Sequence, residues 1–222
     1  MCFSATASFS AAGVLGVLGY LNTKLIKRKK ELFIALVPFV FAFQQLVEGS
    51  IWLAYADPQN FQGVASIAKY LFLLVAIFIW PVWISLSLYT IEDNPARKKM
   101  LAGTLALGIL YDCLMLYEFI TSSHLVGGSV VGHSIQYQLP SHPNVLYMSI
   151  YSITTILPFF ISTFNKVWIL GIFNIIGLYI ANYFYTDAFI SVWCFFATFM
   201  SIGLYFILKE GLKERKEYLY KP

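Results

Sequence analysis

One glutamate lies inside an apolar stretch, FAFQQLVEGSIWLAY, where an ionisable side chain costs about 2.5–3.5 kcal/mol at mid-membrane. At i, i+4, i+8 and i+11, one helical face carries four side chains with polar atoms: Gln44, Glu48, Trp52 and Tyr55. Gln45 lies at the edge of this face, and Gly49 would let another helix approach closely. We therefore expect the face to point into a helix bundle, where Glu48 serves as a ligand, as an acid or base, or only as an interhelical hydrogen-bonding group.

Cys2 is a second candidate for chemistry, because removal of Met1 would leave a residue with both a free amine and a thiol. Such a pair can chelate a metal, or the thiol, as thiolate, can act as nucleophile with the amine as base. The alternative is a small buried residue at the start of a helix that Ser4 caps. We keep Cys2 and Glu48 as the candidate catalytic residues.

The three histidines, His124, His133 and His142, fall in one polar segment. Cysteine, histidine and carboxylate are the usual ligands of zinc and its neighbours. The candidate metal ligands are therefore these histidines with Cys2 and Glu48, and a transition metal such as zinc is the candidate cofactor. At each histidine, a solvated loop side chain is the alternative.

Further polar and aromatic residues recur inside other apolar stretches. Asp112 lies in YDCLMLYEF, Tyr151 on the polar edge of LYMSIYSITTILPFF, and a tryptophan–cysteine pair in SVWCFF. We predict a pocket with eight lining residues: Gln44, Gln45, Trp52, Asp112, Tyr151, Asn182, Trp193 and Cys194.

The composition indicates what must position these residues. Apolar residues make up 59% of the 222 residues and charged residues 12%, and the mean hydropathy is +0.72. A soluble domain is nearer half apolar and a quarter charged, so we predict a polytopic membrane protein whose partner is the lipid bilayer. A small molecule or metal ion is the predicted ligand, and the net charge of +4 does not indicate nucleic acid.

A helix of about 20 apolar residues crosses a hydrocarbon core of about 30 Å. Seven stretches qualify, and together they form one all-α membrane domain, 1–222, folded as a seven-transmembrane-helix bundle. Their approximate bounds are 4–22, 32–55, 66–90, 99–121, 146–164, 167–186 and 188–208.

The loop charges predict the orientation. Of the 15 Lys and Arg residues, all but Lys69 fall on one side, which the positive-inside rule places in the cytoplasm with the tail 209–222. The N-terminus is then outside, and no basic residue precedes the first stretch, so we expect a retained helix rather than a cleaved signal. The candidate site residues lie towards the outer face, so the predicted site opens outward.

The segment 122–145 predicts a short β-hairpin-like loop over the outer mouth of the bundle. Apolar residues at 135, 137 and 139 alternate with polar ones at 134, 136 and 138, which is a strand pattern. Glycines at 127, 128 and 132 offer turns. A loop without regular structure is the alternative.

Several function classes are disfavoured. The seventh stretch has no lysine for a retinal Schiff base, no stretch has a histidine for haem, and no C-x-x-C, P-loop or H-E-x-x-H occurs.

Three hypotheses about the function are left. The first is an outward-opening polar site that binds a metal or small cofactor, with catalysis as one use of it. The second is a transporter with a three-plus-one-plus-three helix layout, and the third is a structural or assembly protein.

Four segments, MCFSATASF, FQQLVEGSIWL, LPFFIS and SVWCFF, resemble an uncharacterised family of bacterial inner-membrane proteins. Its members open Met-Cys-Phe-Ser-Ala and carry Q-Q-x-x-E-G-x-x-W in the second helix. The resemblance implies a seven-helix protein of the bacterial inner membrane and supplies no activity. The matching residues are Cys2, Phe3, Ser4, Gln44, Gln45, Glu48, Gly49, Trp52, Trp193 and Cys194.

Overall fold

The computed structural model describes residues 4–122, 127–131, 134–138, 145–164 and 166–219. These residues form helices and one two-stranded sheet. The helices are α1 (Ala5–Leu25), α2 (Leu32–Ala35), α3 (Val37–Ala56), α4 (Pro58–Leu73), α5 (Trp80–Ile91), α6 (Pro95–Thr121), α7 (Val145–Ile161), α8 (Trp168–Phe184) and α9 (Phe189–Leu219). The strands are β1 (Gly127–Val131) and β2 (Ser134–Gln138), the π-helical segment is Leu74–Ile79, and the 3-10 turns are Lys29–Glu31 and Thr186–Ala188.

Among the described residues, four helical segments are long and apolar enough to cross a bilayer: Lys29–Ala56, Gly63–Ile91, Pro95–Thr121 and Phe189–Gly211. Two further apolar helices, α7 and α8, are 17 residues long each. The mainly helical membrane fold is thereby supported. The count of seven spans and their orientation stay predictions.

Helix α1 packs along α3 through small residues. Ser4 caps α1, its side chain accepting a hydrogen bond from the Ala7 N–H at 3.2 Å. A Cβ added to Gly49 would lie 2.7 Å from the ring of Phe9, and a Cβ on Gly19 would be equally close to a ring of α3. Gly49 thus permits the close helix approach expected from its position.

The predicted third stretch contains a π-helical segment, and Pro81 follows it in the first turn of α5. In the i→i+5 register of a π-helix, the Ala76 carbonyl would pair with residue 81, and proline has no N–H to donate. The Tyr151 hydroxyl donates to that carbonyl instead, at 2.6 Å. The irregular turn therefore anchors α7 to this part of the bundle.

The hairpin prediction is confirmed, because β1 and β2 pair antiparallel with Val131 opposite Ser134. Ile135 is fully buried, and the Tyr137 ring stacks on Phe72 with centroids 4.5 Å apart. The expected turn at 127–128 is wrong, because both glycines lie within β1. The Tyr55 hydroxyl donates to the carbonyl of residue 128, so the hairpin is held against α3 and α4.

Gly108 provides the first test of the packing. A Cβ there would lie 2.7 Å from the Pro81 carbonyl oxygen of α5, and a backbone atom cannot move aside cheaply. We expect Gly108→Ala to lower the free energy of unfolding by about 1–3 kcal/mol, as overpacking does. Gly103, on the same helix, has open space around it. Gly103→Ala should therefore raise stability by up to about 1 kcal/mol through helix propensity. Equilibrium unfolding in detergent micelles measures both, and equal effects would contradict this packing.

Candidate functional site

Two side-chain pairs connect α3 and α9 inside the bundle. The Ser191 hydroxyl donates to Glu48 Oε1 at 2.6 Å, and Gln44 Nε2 donates to Cys194 Sγ at 3.1 Å. Spacings of four residues on α3 and three on α9 place each set on one helical face. Because the earlier α3 residue pairs with the later α9 residue, the helices run antiparallel here.

The interhelical bonds belong to a larger buried network. Glu48 is fully buried, and Gln45 Nε2 lies 3.3 Å from its second oxygen, Oε2. Gln44 is also fully buried, and its Oε1 accepts a bond from Trp80 Nε1 at 3.0 Å. The Trp80 ring stacks on Phe41 with centroids 3.8 Å apart. The amide of Gln44 therefore joins α3, α5 and α9 and holds the cysteine in place.

A second set of hydrogen bonds joins α7, α8 and α9. Trp193 Nε1 donates to Asn174 Oδ1 at 2.8 Å, and Asn174 Nδ2 donates to the Thr155 carbonyl at 3.1 Å. The Tyr151 ring meets the Trp193 ring edge-on, with centroids 5.3 Å apart. The polar atoms of these side chains are thereby bonded to protein and their rings are fixed.

Both networks border a cavity of about 70 Å³. On α9 its lining runs from Trp193 to Leu204, about 16 Å at 1.5 Å per residue, so the cavity is long and narrow. Tyr151, Trp193 and Cys194 form a polar end, whereas the rest of the lining is mostly apolar apart from a few side chains such as Ser87 and Ser201. The lining is Ile34, Val37, Phe41, Trp80, Ile84, Ser87, Leu88, Tyr151, Thr155, Phe159, Leu170, Asn174, Trp193, Cys194, Met200, Ser201 and Leu204.

The predicted outward opening stays a prediction, and the direction of the cavity is described relative to the two ends of the bundle. We call the end of the bundle covered by β1 and β2 the hairpin end, and the end carrying Arg28, Lys30 and Arg97 the basic end. The cavity runs from the level of Cys194 towards the basic end. Glu48 is not among the lining residues that the structure describes, although it interacts electrostatically with Cys194. The cavity does not extend towards the hairpin end because the hairpin packs over that end of α3 and α4.

Of the eight predicted pocket residues, Tyr151, Trp193 and Cys194 line the cavity and the other five do not. Gln44 and Gln45 belong to the buried network beside it. Asn182 is exposed, because the buried stripe of α8 passes through Asn174 and Ala181 and leaves the next position outside. Trp52 and Asp112 are half-buried. The Nε1 of Trp52 and the Oδ1 of Asp112 have no hydrogen-bond partner within the described part of the chain. Asp112 interacts electrostatically with the tyrosines at 111 and 151, so it borders the same aromatic group.

The predicted metal ligands are mostly untested. Cys2 and the histidines at 124, 133 and 142 lie outside the described residues. Within the described ranges, no group of three or more His, Cys, Asp or Glu residues is placed to hold a metal ion. The metal site stays a prediction.

A buried acid lies at the basic end and was not among the residues predicted from the sequence. Glu92 is 2% exposed and accepts four hydrogen bonds. The donors are the Ser162 hydroxyl (3.1 Å), the Thr163 N–H and hydroxyl (2.7 Å each) and the Asn94 N–H (2.9 Å). Burial by itself raises the pKa of Glu92, but the hydrogen bonds outweigh it and lower the pKa below the ordinary 4.5. The available signal was an acid directly after one apolar stretch and a Ser-Thr pair after another.

Bilayer-length apolar helices with a hydrogen-bonded polar network buried between them define an integral membrane protein. The chain belongs to a family of unknown function, DUF6629, whose model matches residues 1–217. No curated protein and no solved structure matches the chain. The resemblance to an uncharacterised family is thus confirmed, while the motif and the bacterial origin stay predictions.

Proposed function

We propose that the protein is a seven-span protein of the bacterial inner membrane, with its N-terminus outside, that binds a small apolar molecule within the bundle. The observation that carries this proposal is the narrow cavity that ends at Tyr151, Trp193 and Cys194. Binding sites for small molecules are mainly apolar, with a few placed polar groups that orient the ligand. This cavity has that composition.

The dimensions of the cavity favour a linear aliphatic ligand over a cyclic one. An engineered apolar cavity of about 150 Å³ holds benzene, whereas about 70 Å³ here extends along about 16 Å of α9. Spread over that length, the volume is narrower than an aliphatic chain, so a linear molecule suits the shape better than a ring but must push the lining side chains slightly apart. The hydrogen bonds of Gln44 and Asn174 hold the polar end rigid, and a pre-organised site loses less entropy on binding.

The hydrogen-bond network around Glu48 lies next to the polar end of the cavity and holds its side chains in place. Gln44 presents Cys194 at the end of the cavity, and Glu48 binds Ser191 one turn farther towards the hairpin end. In this proposal Cys194 is a buried thiol at the end of the cavity, and Gln44 and Ser191 position its surroundings.

Fluorescence quenching tests the proposal, because Trp80 and Trp193 line the cavity. Protein in lipid nanodiscs is titrated with 1-bromodecane, whose bromine quenches nearby tryptophan. We expect saturable quenching in the native chain and at least a tenfold loss of affinity in Leu170→Phe, because the larger ring blocks an already narrow cavity. Ile172→Phe is the matched control, since Ile172 is 40% exposed on the same helix and Leu170 is 3% exposed. With both variants equally folded by thermal melting, equal quenching would contradict binding in this cavity.

A transporter is the second candidate. The hairpin covers one end of the bundle and the cavity extends towards the other, an arrangement that suits alternating access. Flux of a bound molecule into proteoliposomes, lost in Leu170→Phe, would favour this alternative.

Elemental analysis tests the predicted metal, since a folded metal-free protein that Cys2→Ser leaves unchanged would exclude it.

A further inference from the structure

Ser87 lines the cavity on α5, and its hydroxyl is the starting point of this inference. The residue is 1% exposed, and Oγ has no hydrogen-bond partner among the residues that the structure describes. A buried hydroxyl without a partner costs free energy, and such groups are rare unless something else satisfies them.

Many helical hydroxyls among the described residues bond to backbone carbonyls, which is the usual local solution. Ser8 and Thr198 have buried hydroxyls without a partner within the described ranges too, but of these three residues only Ser87 lines the cavity. Ser50 donates to the Leu46 carbonyl at 3.0 Å, and Ser149 donates to the Val145 carbonyl at 2.7 Å. Ser85, two residues before Ser87, reaches across to α7. The hydroxyl of Ser87 forms neither kind of bond within the described ranges, so its hydrogen-bonding capacity is available to a molecule in the cavity.

The other polar groups that border the cavity are engaged with protein. The side chains of Asn174 and Trp193 bond one another, and the Tyr151 hydroxyl binds a backbone carbonyl. The described lining contains no Asp, Glu, Lys, Arg or His. A charge buried there would have no counter-charge in the lining, which is strongly unfavourable. The lining therefore favours an uncharged molecule.

We propose that Ser87 selects an uncharged aliphatic molecule with a carbonyl oxygen, of the ketone or ester class, by donating a hydrogen bond to that oxygen. This inference rests on the binding function proposed above. Ser87 lies seven residues beyond Trp80, about 10 Å along α5. The carbonyl would therefore lie in the part of the cavity nearer the basic end, with the chain extending towards Cys194.

Competition against 1-bromodecane in nanodiscs tests the selectivity, with affinities expressed per mole fraction of probe in the lipid. We expect 2-decanone to bind about five- to tenfold more tightly than decane, the effect of one hydrogen bond. Decanoate should bind more weakly than 2-decanone. Ser87→Ala should bring the ratio of decanone to decane affinity close to one, and Ser87→Thr should restore it. Ser50→Ala, which removes a hydroxyl bonded to its own helix, is the matched control and should leave the ratio unchanged.

The outcomes separate the two proposals. Equal affinity of decane and 2-decanone in the native chain overturns the role of Ser87 and leaves binding in the cavity intact. An equal loss of affinity for every probe in Ser87→Ala also overturns it, because that result indicates a packing role. Absence of saturable quenching by 1-bromodecane overturns the binding function itself, and with it the selectivity.

Discussion

Replacement of Glu48 by alanine is expected to lower the free energy of unfolding by about 3 kcal/mol. The substitution removes the acceptor of the Ser191 hydroxyl and the carboxylate next to Gln45, both of which are buried. Each buried polar group that loses a hydrogen bond in this way costs about 1–3 kcal/mol. Equilibrium unfolding in mixed detergent micelles measures the change.

One variant separates the role of the Glu48 charge from that of its hydrogen bonds, and a second variant serves as a control. Glu48→Gln keeps a carbonyl oxygen for Ser191, so we expect it to retain most of the stability. Glu118→Ala is the matched control, because half-buried Glu118 accepts a bond from Tyr147 at the long distance of 3.3 Å. If Glu48→Ala proves no more destabilising than Glu118→Ala, the network does not hold α3 to α9 as described.

Glu92→Ala is expected to have an effect of similar size, about 3 kcal/mol, at the basic end. Glu92 joins the end of α5 to Ser162 and Thr163 after α7 and to Asn94 at the start of α6. Its removal leaves these donors unpaired. In contrast, Glu210→Ala removes an exposed ion pair with Lys166, which is worth at most about 1 kcal/mol. Equal effects of the two substitutions would contradict a structural role for Glu92.

The pH dependence of stability provides an independent measurement of the same carboxylate. The hydrogen bonds lower the pKa of Glu92 below its ordinary value of 4.5, despite burial, which acts in the opposite direction. A carboxyl with a depressed pKa contributes its full stability above the unfolded pKa and loses it as pH falls through the folded pKa. The native chain should lose free energy of unfolding as pH falls below about 4.5, and part of that loss comes from protonation of Glu92. In Glu92→Gln, which does not titrate, we expect the free energy of unfolding to fall less over the same pH range.

Some features followed from local pattern. An ionisable side chain in an apolar stretch must avoid lipid, and Glu48 is fully buried with Gln44 and Gln45. The alternation of polar and apolar residues predicted β2, and Ile135 is its fully buried residue. Both results depend on the side-chain period of a single element, which neighbouring residues determine.

Other features depended on residues far apart in the chain. Ser191, the partner of Glu48, lies 143 residues away and carries no distinguishing pattern. On α8, two asparagines were equally suitable by composition, and the structure turns Asn174 inward and leaves Asn182 exposed. Glu92 was not predicted because Ser162 and Thr163, which supply three of its four hydrogen bonds, follow a helix 70 and 71 residues later.

The sequence by itself determined that the chain is a mainly helical membrane protein, that one face of α3 is polar and buried, and that a hairpin precedes α7. Only the tertiary structure decided which helix meets that face, where Cys194 points, and that the cavity extends towards the basic end. The reason is physical. The period of a helix or strand specifies which side chains share a face, but the rotation and neighbours of each helix depend on how side chains of distant segments interlock.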